Sequence, residues 1–164
     1  MARQGGLIDA RPEAAIDATG LESRHTSRYY VWRRGNKRHA RYTFPKLTLV
    51  CHTHSYLFAS ALVSPGPSQD SPQLPETLRS ATRRLSIDRL LADAGYDGEH
   101  NHVLARRELG IRSTVIALNK RNTRKWPTGR YRRQMRRRFQ RRIYGHRWHI
   151  EAAISQTKRR LGSA

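Results

Sequence analysis

Acidic residues are scarce in this chain: twelve Asp and Glu stand against thirty-three Lys and Arg, a formal net charge of +21 over 164 residues. That excess goes far beyond what solubility needs and points to a polyanionic partner. The deficit is uneven. Between Leu109 and Ile150 there is no acid at all, but fourteen basic residues, including Arg132, Arg133, Arg136, Arg137, Arg138, Arg141 and Arg142. Arg outnumbers Lys, which suits bidentate phosphate contacts. Cysteine is nearly missing too: Cys51 stands alone, so an internal disulfide and a cysteine-based zinc cluster are excluded. No apolar run approaches membrane-spanning length, and the first residues lack the hydrophobic core of a signal peptide, so a cytoplasmic location and no membrane partner are expected. Trp126, Tyr131, Met135 and Phe139 are too sparse among the arginines for an amphipathic insertion helix.

What is present is enough for one domain with one core, since 37% of the residues are apolar. Residues 1–13 read as a poorly ordered lead-in, 14–162 as the core, including a basic segment at 120–142, and 163–164 as a tail. Ala14 to Ala18 is a short apolar strand carrying Asp17, with Thr19-Gly20 as a turn. Arg28 to Trp32, Tyr42 to Cys51 and Tyr56 to Val63 read as strands, with a turn at residues 33–36 and a break at Pro65-Gly66-Pro67-Ser68. A helix is expected over residues 75–85, then a short apolar segment Arg89 to Ala92 running into Asp93. Ala94-Gly95 is a bend, Gly98 to Leu109 a helix ended by Gly110, and Ile111 to Leu118 a buried strand. Asn119 to Gly129 is a polar connector, followed by a basic helix at 130–142 and a last helix at 144–161. Hairpin-like strands, then helix, strand, helix, strand and helices imply a mixed α/β sheet with helical cover.

The last helix carries the strongest pattern. Tyr144, Arg147, Glu151 and Lys158 stand at offsets of three, seven and fourteen from the tyrosine. On a helix turning about 100° per residue, all four fall within an arc of roughly 60°. Ile143, Ile150, Ile154 and Leu161 form a packing stripe beside them. An ordinary salt-bridged helix face would also pair Arg147 with Glu151. Glu151 is, however, the only acid after Glu108.

Asp17 and Asp93 each end an apolar strand, where a charge needs a reason. With Glu151 they form a hard oxygen donor set suited to Mg2+ or Mn2+. Two such ions would activate a hydroxyl and stabilise the leaving oxygen of a phosphodiester. Asp97 is expected to cap the helix that follows it, and Asp88 to cap or start its strand. Trp126 and Trp148 are expected to pack, and the pairs His52/His54 and His100/His102 lack an evident third ligand for zinc. Lys158 is expected on a DNA phosphate, Arg147 on Glu151 or the next phosphate, and Tyr144 against the strand near the cleavage point. Arg133, Arg137 and Arg141 belong to the expected DNA track.

These residues resemble the catalytic core of bacterial insertion-sequence transposases of the DDE class. In those proteins the last acidic motif reads Y-x2-R-x3-E-x6-K, which Tyr144, Arg147, Glu151 and Lys158 match at every position. Ala92-Asp93-Ala94-Gly95-Tyr96-Asp97 resembles the second motif, and Ile16-Asp17-Ala18-Thr19-Gly20 the first, at separations of 76 and 58 residues. The resemblance implies an RNase H-like fold with Asp17, Asp93 and Glu151 as catalytic metal ligands for Mg2+ or Mn2+. It implies cleavage at transposon ends, strand transfer into target DNA, and synapsis by a homodimer. Such transposases usually carry a DNA-binding region before the first aspartate. Sixteen residues precede Asp17 here and six follow Lys158, so a truncated form is expected. A related RNase H-like nuclease and a non-catalytic basic DNA-binding relic are the competing readings.

Overall fold

A computed structural model of the chain describes residues 6–21, 44–119 and 126–160. The strands are β1 Glu13–Gly20, β2 Phe44–His52, β3 Phe58–Gly66, β4 Arg89–Ala92 and β5 Ser113–Ile116, joined in one sheet of order β3-β2-β1-β4-β5. β2 lies antiparallel to both β1 and β3, whereas β4 lies parallel to β1 and β5 parallel to β4. The helices are α1 Leu74–Thr82, α2 Glu99–Val103, α3 Arg130–Arg137, α4 Arg141–Gly145 and α5 Trp148–Arg160. The mixed sheet and flanking helices agree with the α/β class expected from the sequence and are consistent with an RNase H-like fold.

The sheet has an apolar layer on each face. Ala14, Ile16, Val50, Leu90, Ala92 and Ile116 meet Leu74, Leu78 and Ala81 of α1 on one side. Ala15, Leu49, Cys51, Leu91 and Val115 meet Ile150, Ala153 and Ile154 of α5 on the other. Because a central strand is covered on both faces, Ala14-Ala15-Ile16 is a continuous apolar run, not an alternating one. Each fully buried Leu or Ile here contributes about 1.5–3 kcal/mol of transfer free energy. The thiol of Cys51 is free and buried, and burial pushes its pKa up to about 12.

Several local expectations need correction. Thr19-Gly20 is no turn, because β1 continues through both, with Gly20 opposite Lys46. The break at Pro65 falls later, since β3 runs to Gly66. The helix after Gly98 is α2 followed by a π-helical turn, Leu104–Glu108, and the strand after it spans only Ser113–Ile116. The basic helix at 130–142 ends at Arg137, where Arg138 leaves helical geometry (φ −138, ψ 54). The last helix is two helices, α4 and α5, joined through i+3 bonds from His146 to Ile143 and from Arg147 to Tyr144. Bonds of that tighter spacing rotate the chain further per residue than an α-helix does. The expected strand Arg28 to Trp32 and the turn at 33–36 lie outside the described residues, as does Leu161.

Candidate active site

Asp17 lies on β1 one residue beyond Ile16, which is matched to Ala92 on β4. Asp93 follows directly on the end of that neighbouring strand. Adjacent strands lie about 4.8 Å apart, so the register alone brings these two aspartates side by side. Alternation puts Asp17 on the same face as Ala15, under α5. The backbone N–H of Ala18 donates to Asp17 Oδ1 at 2.9 Å, and Arg147 Nη1 stands 3.7 Å from Asp17 Oδ2.

Asp93 opens the 3-10 turn Ala94–Tyr96, and its Oδ1 accepts from the N–H of Gly95 at 2.8 Å. A side chain at position 95 would meet obstruction on two sides. Its Cβ would fall 2.7 Å from Asp70 Oδ2 and 3.0 Å from Asp93 Oδ1. Asp70 is in turn paired with Lys46, whose ammonium is buried and also donates to the Ser68 carbonyl at 2.6 Å. The Asp93 turn is thus backed by an ion pair whose ammonium is buried. Tyr96, the last residue of the turn, is fully buried, and burial together with Asp70, Asp17 and Asp93 raises its phenol pKa strongly.

Arg147 sits at the corner between α4 and α5 and donates through Nη2 to Glu151 Oε1 one turn on. The same guanidinium faces Asp17 and lies 5.8 Å from the ring centroid of Tyr144. Burial works to lower its pKa, but Tyr144, Glu151, Asp17 and Asp93 outweigh it and leave the pKa raised. Lys158 is half-buried two turns beyond Glu151 on the same helix. Arg147 therefore links Asp17 of β1 to Glu151 of α5, with Tyr144 adjacent from the preceding helix.

The carboxyl of Asp17 has its pKa raised to about 6, first by burial, while Ala18 and Arg147 pull it down and Asp93 and Glu151 push it up. Burial above all disfavours the charged form of Asp17, and its hydrogen bond to Ala18 and the Arg147 guanidinium do not fully offset it. That deficit, and an all-oxygen donor set, fit a divalent cation of the Mg2+ or Mn2+ type. Among the described residues, however, no three His, Cys, Asp or Glu side chains converge closely enough to hold a metal ion. Two of the acids, Asp17 and Glu151, instead flank the Arg147 guanidinium. A separate cavity of about 350 Å3, lined by Asp9, Glu13, Thr53, His54, His146 and His149, lies at the opposite end of β1.

The chain matches the model of the transposase DDE domain over residues 9–164. It belongs to that family. No curated protein and no solved structure matches it. Membership makes the chain a transposase in the general sense and implies DNA as its partner. Among the described residues no helix is long and apolar enough to cross a membrane.

Around the DDE domain's acids, other expectations fare differently. Arg133 and Arg137 are exposed on α3, and Arg141 is exposed on α4. Asp97 does not cap the following helix, whose first turn is preceded by Gly98 with no side-chain cap. Its carboxylate is 1% exposed and forks to Arg132, Nε to Oδ1 and Nη2 to Oδ2, both at 2.8 Å. Asp88 does precede β4 directly and is bound by Arg112, whose hydrogen bonds hold the carboxyl below its usual range. Trp126 and Trp148 are not packing residues, being 63% and 53% exposed. Guanidiniums of Arg136 and Arg137 lie 5.6 and 5.9 Å from the Trp126 ring. Sequence reasoning missed Lys46, Asp70 and Glu99. For Lys46 a signal existed, because it is in phase with the buried Thr48 and Val50 of β2.

Proposed function

We propose that this DDE domain cleaves DNA strands and transfers them into target DNA with Mg2+ or Mn2+, using Asp17, Asp93 and Glu151 as the ligands of two ions. The observation that carries the reading is one arginine shared by Asp17 of the central strand and Glu151 of a distant helix, with Asp93 just past the end of the neighbouring strand. What the ions supply in such a site is activation of the attacking hydroxyl and stabilisation of the leaving oxygen. Asp17 and Asp93 provide the fixed half of the donor set, because both are set by sheet register. Glu151 provides the adjustable half, on an exposed helix face. Arg147, released from its carboxylates as positive charge arrives among them, is well placed to turn to a phosphate. Lys158, Tyr144, Arg133, Arg137 and Arg141 grip the backbone on either side, and a homodimer brings transposon ends together.

The spread of the acids around Arg147, without convergence to one point, favours a second reading: a basic DNA-binding relic that no longer cuts. A plasmid-nicking assay separates the two. Under the catalytic reading, supercoiled DNA is nicked with Mg2+ or Mn2+ and not with EDTA. Glu151→Gln and Asp93→Asn then lose nicking while DNA affinity stays level or rises, since a repelling charge is gone. Salt-sensitive binding with no metal-dependent nick by the unaltered chain would establish the relic instead.

A further inference from the structure

Helix α3 is an improbable helix by itself. Five of its eight residues are arginine, its first turn contains no acid, and Gly129 before it offers no side-chain cap. Arg132 with Arg136, and Arg133 with Arg137, repel at i,i+4 spacing. Its four leading N–H groups need acceptors from elsewhere. Two come from Glu99 of α2, which accepts from Tyr131 N at 2.9 Å and from Arg132 N at 3.0 Å. A carboxylate at that point also complements the positive end of the helix dipole. The approach is so close that a Cβ on Gly129 would fall 2.0 Å from Glu99 Oε2.

The second anchor is Asp97. It forks to Arg132 and also accepts from the N–H of Asn119 at 2.9 Å, so it ties α3 to the exit of β5. Asp97 closes the same 3-10 turn that Asp93 opens. Below the helix, Tyr131 and Met135 are buried, and the Tyr131 ring lies 4.6 Å from the Arg106 guanidinium. Arg133, Arg136 and Arg137 are left exposed.

We propose that Asp97 and Glu99 are positioning residues for DNA engagement: they dock α3 on the turn that carries Asp93 and present its exposed arginines to the phosphate backbone in register with that carboxylate. The inference rests on the reading of this basic segment as a DNA track. It has an unusual signature, because two acids in a strongly basic protein would here strengthen DNA binding.

The test is fluorescence anisotropy with a labelled DNA duplex across a salt series, in EDTA so that no cleavage enters. Bulk electrostatics predicts that Asp97→Asn with Glu99→Gln, two charges more positive, binds tighter, as the exposed Glu76→Gln control should. Positioning predicts the reverse: affinity about tenfold weaker and a salt slope shallower by about 0.9 for each phosphate that the arginines no longer neutralise. Arg132→Lys guards against misfolding, since it keeps the net charge but loses the fork. It should weaken binding about threefold and speed amide exchange in α3. Unchanged or tighter binding by a folded double variant, or an unaltered Arg132→Lys, overturns the inference. If the unaltered protein binds DNA without steep salt dependence, the DNA-track reading itself falls.

Discussion

Neutralising Asp17 should stabilise the metal-free protein, and do so only at neutral pH. The carboxyl is raised from 3.8 to about 6, with its side chain 19% exposed. Between those two values the folded state binds more protons than the unfolded chain, so this group's contribution to stability falls as pH rises. It is fully present below the unfolded value and lost once pH passes the folded one. The difference amounts to on the order of 3 kcal/mol. Asp17→Asn removes the titration and keeps an oxygen for the N–H of Ala18. Urea unfolding of both proteins in EDTA, at steps from pH 3.5 to 8, isolates the effect, because the other carboxylates are common to both. The two stabilities should be similar near pH 4 and diverge in favour of the variant, reaching a plateau above pH 7. A variant less stable than its parent at pH 8, or a gap that ignores pH, would refute the argument that burial and neighbouring acids strain Asp17.

Gly95→Ala should reduce metal-dependent nicking at least tenfold and destabilise the fold by about 1–3 kcal/mol, because the new methyl meets Asp70 and Asp93. Nicking kinetics and a urea midpoint check both, and wild-type values would remove the Asp70 contact from the account. Lys158→Ala should weaken DNA binding and lower the salt slope by about one phosphate's worth, read by anisotropy. An unchanged slope would take Lys158 off the DNA.

The sheet was largely legible because its signals are local. Apolar runs ending in Asp17 and Asp93 fall on neighbouring strands, and Ala14 to Ala18 reads as a short apolar strand. Glu151 stood out as a lone acid among bases. The corner at His146–Arg147 was invisible, because a helical wheel assumes one rotation per residue and nothing at Gly145 or His146 forbids a helix. Asp97 misled for a physical reason. Its spacing suits an N-cap, but the fork of Arg132 competes for the same oxygens and wins. Glu99 and Asp70 act on partners more than twenty residues away in sequence, which no local pattern encodes.

β1 is bonded along both edges, through seven matched pairs to β2 and four to β4. A residue on such a strand loses its surroundings only when the whole sheet parts. α5 keeps its own backbone bonds and clings to the sheet by Ile150, Ala153 and Ile154. Asp17 thus shares the lifetime of the fold, whereas Glu151 depends on the docking of a rod. If Glu151 acts as proposed, loosening the seam beneath that rod would silence the molecule while leaving it folded.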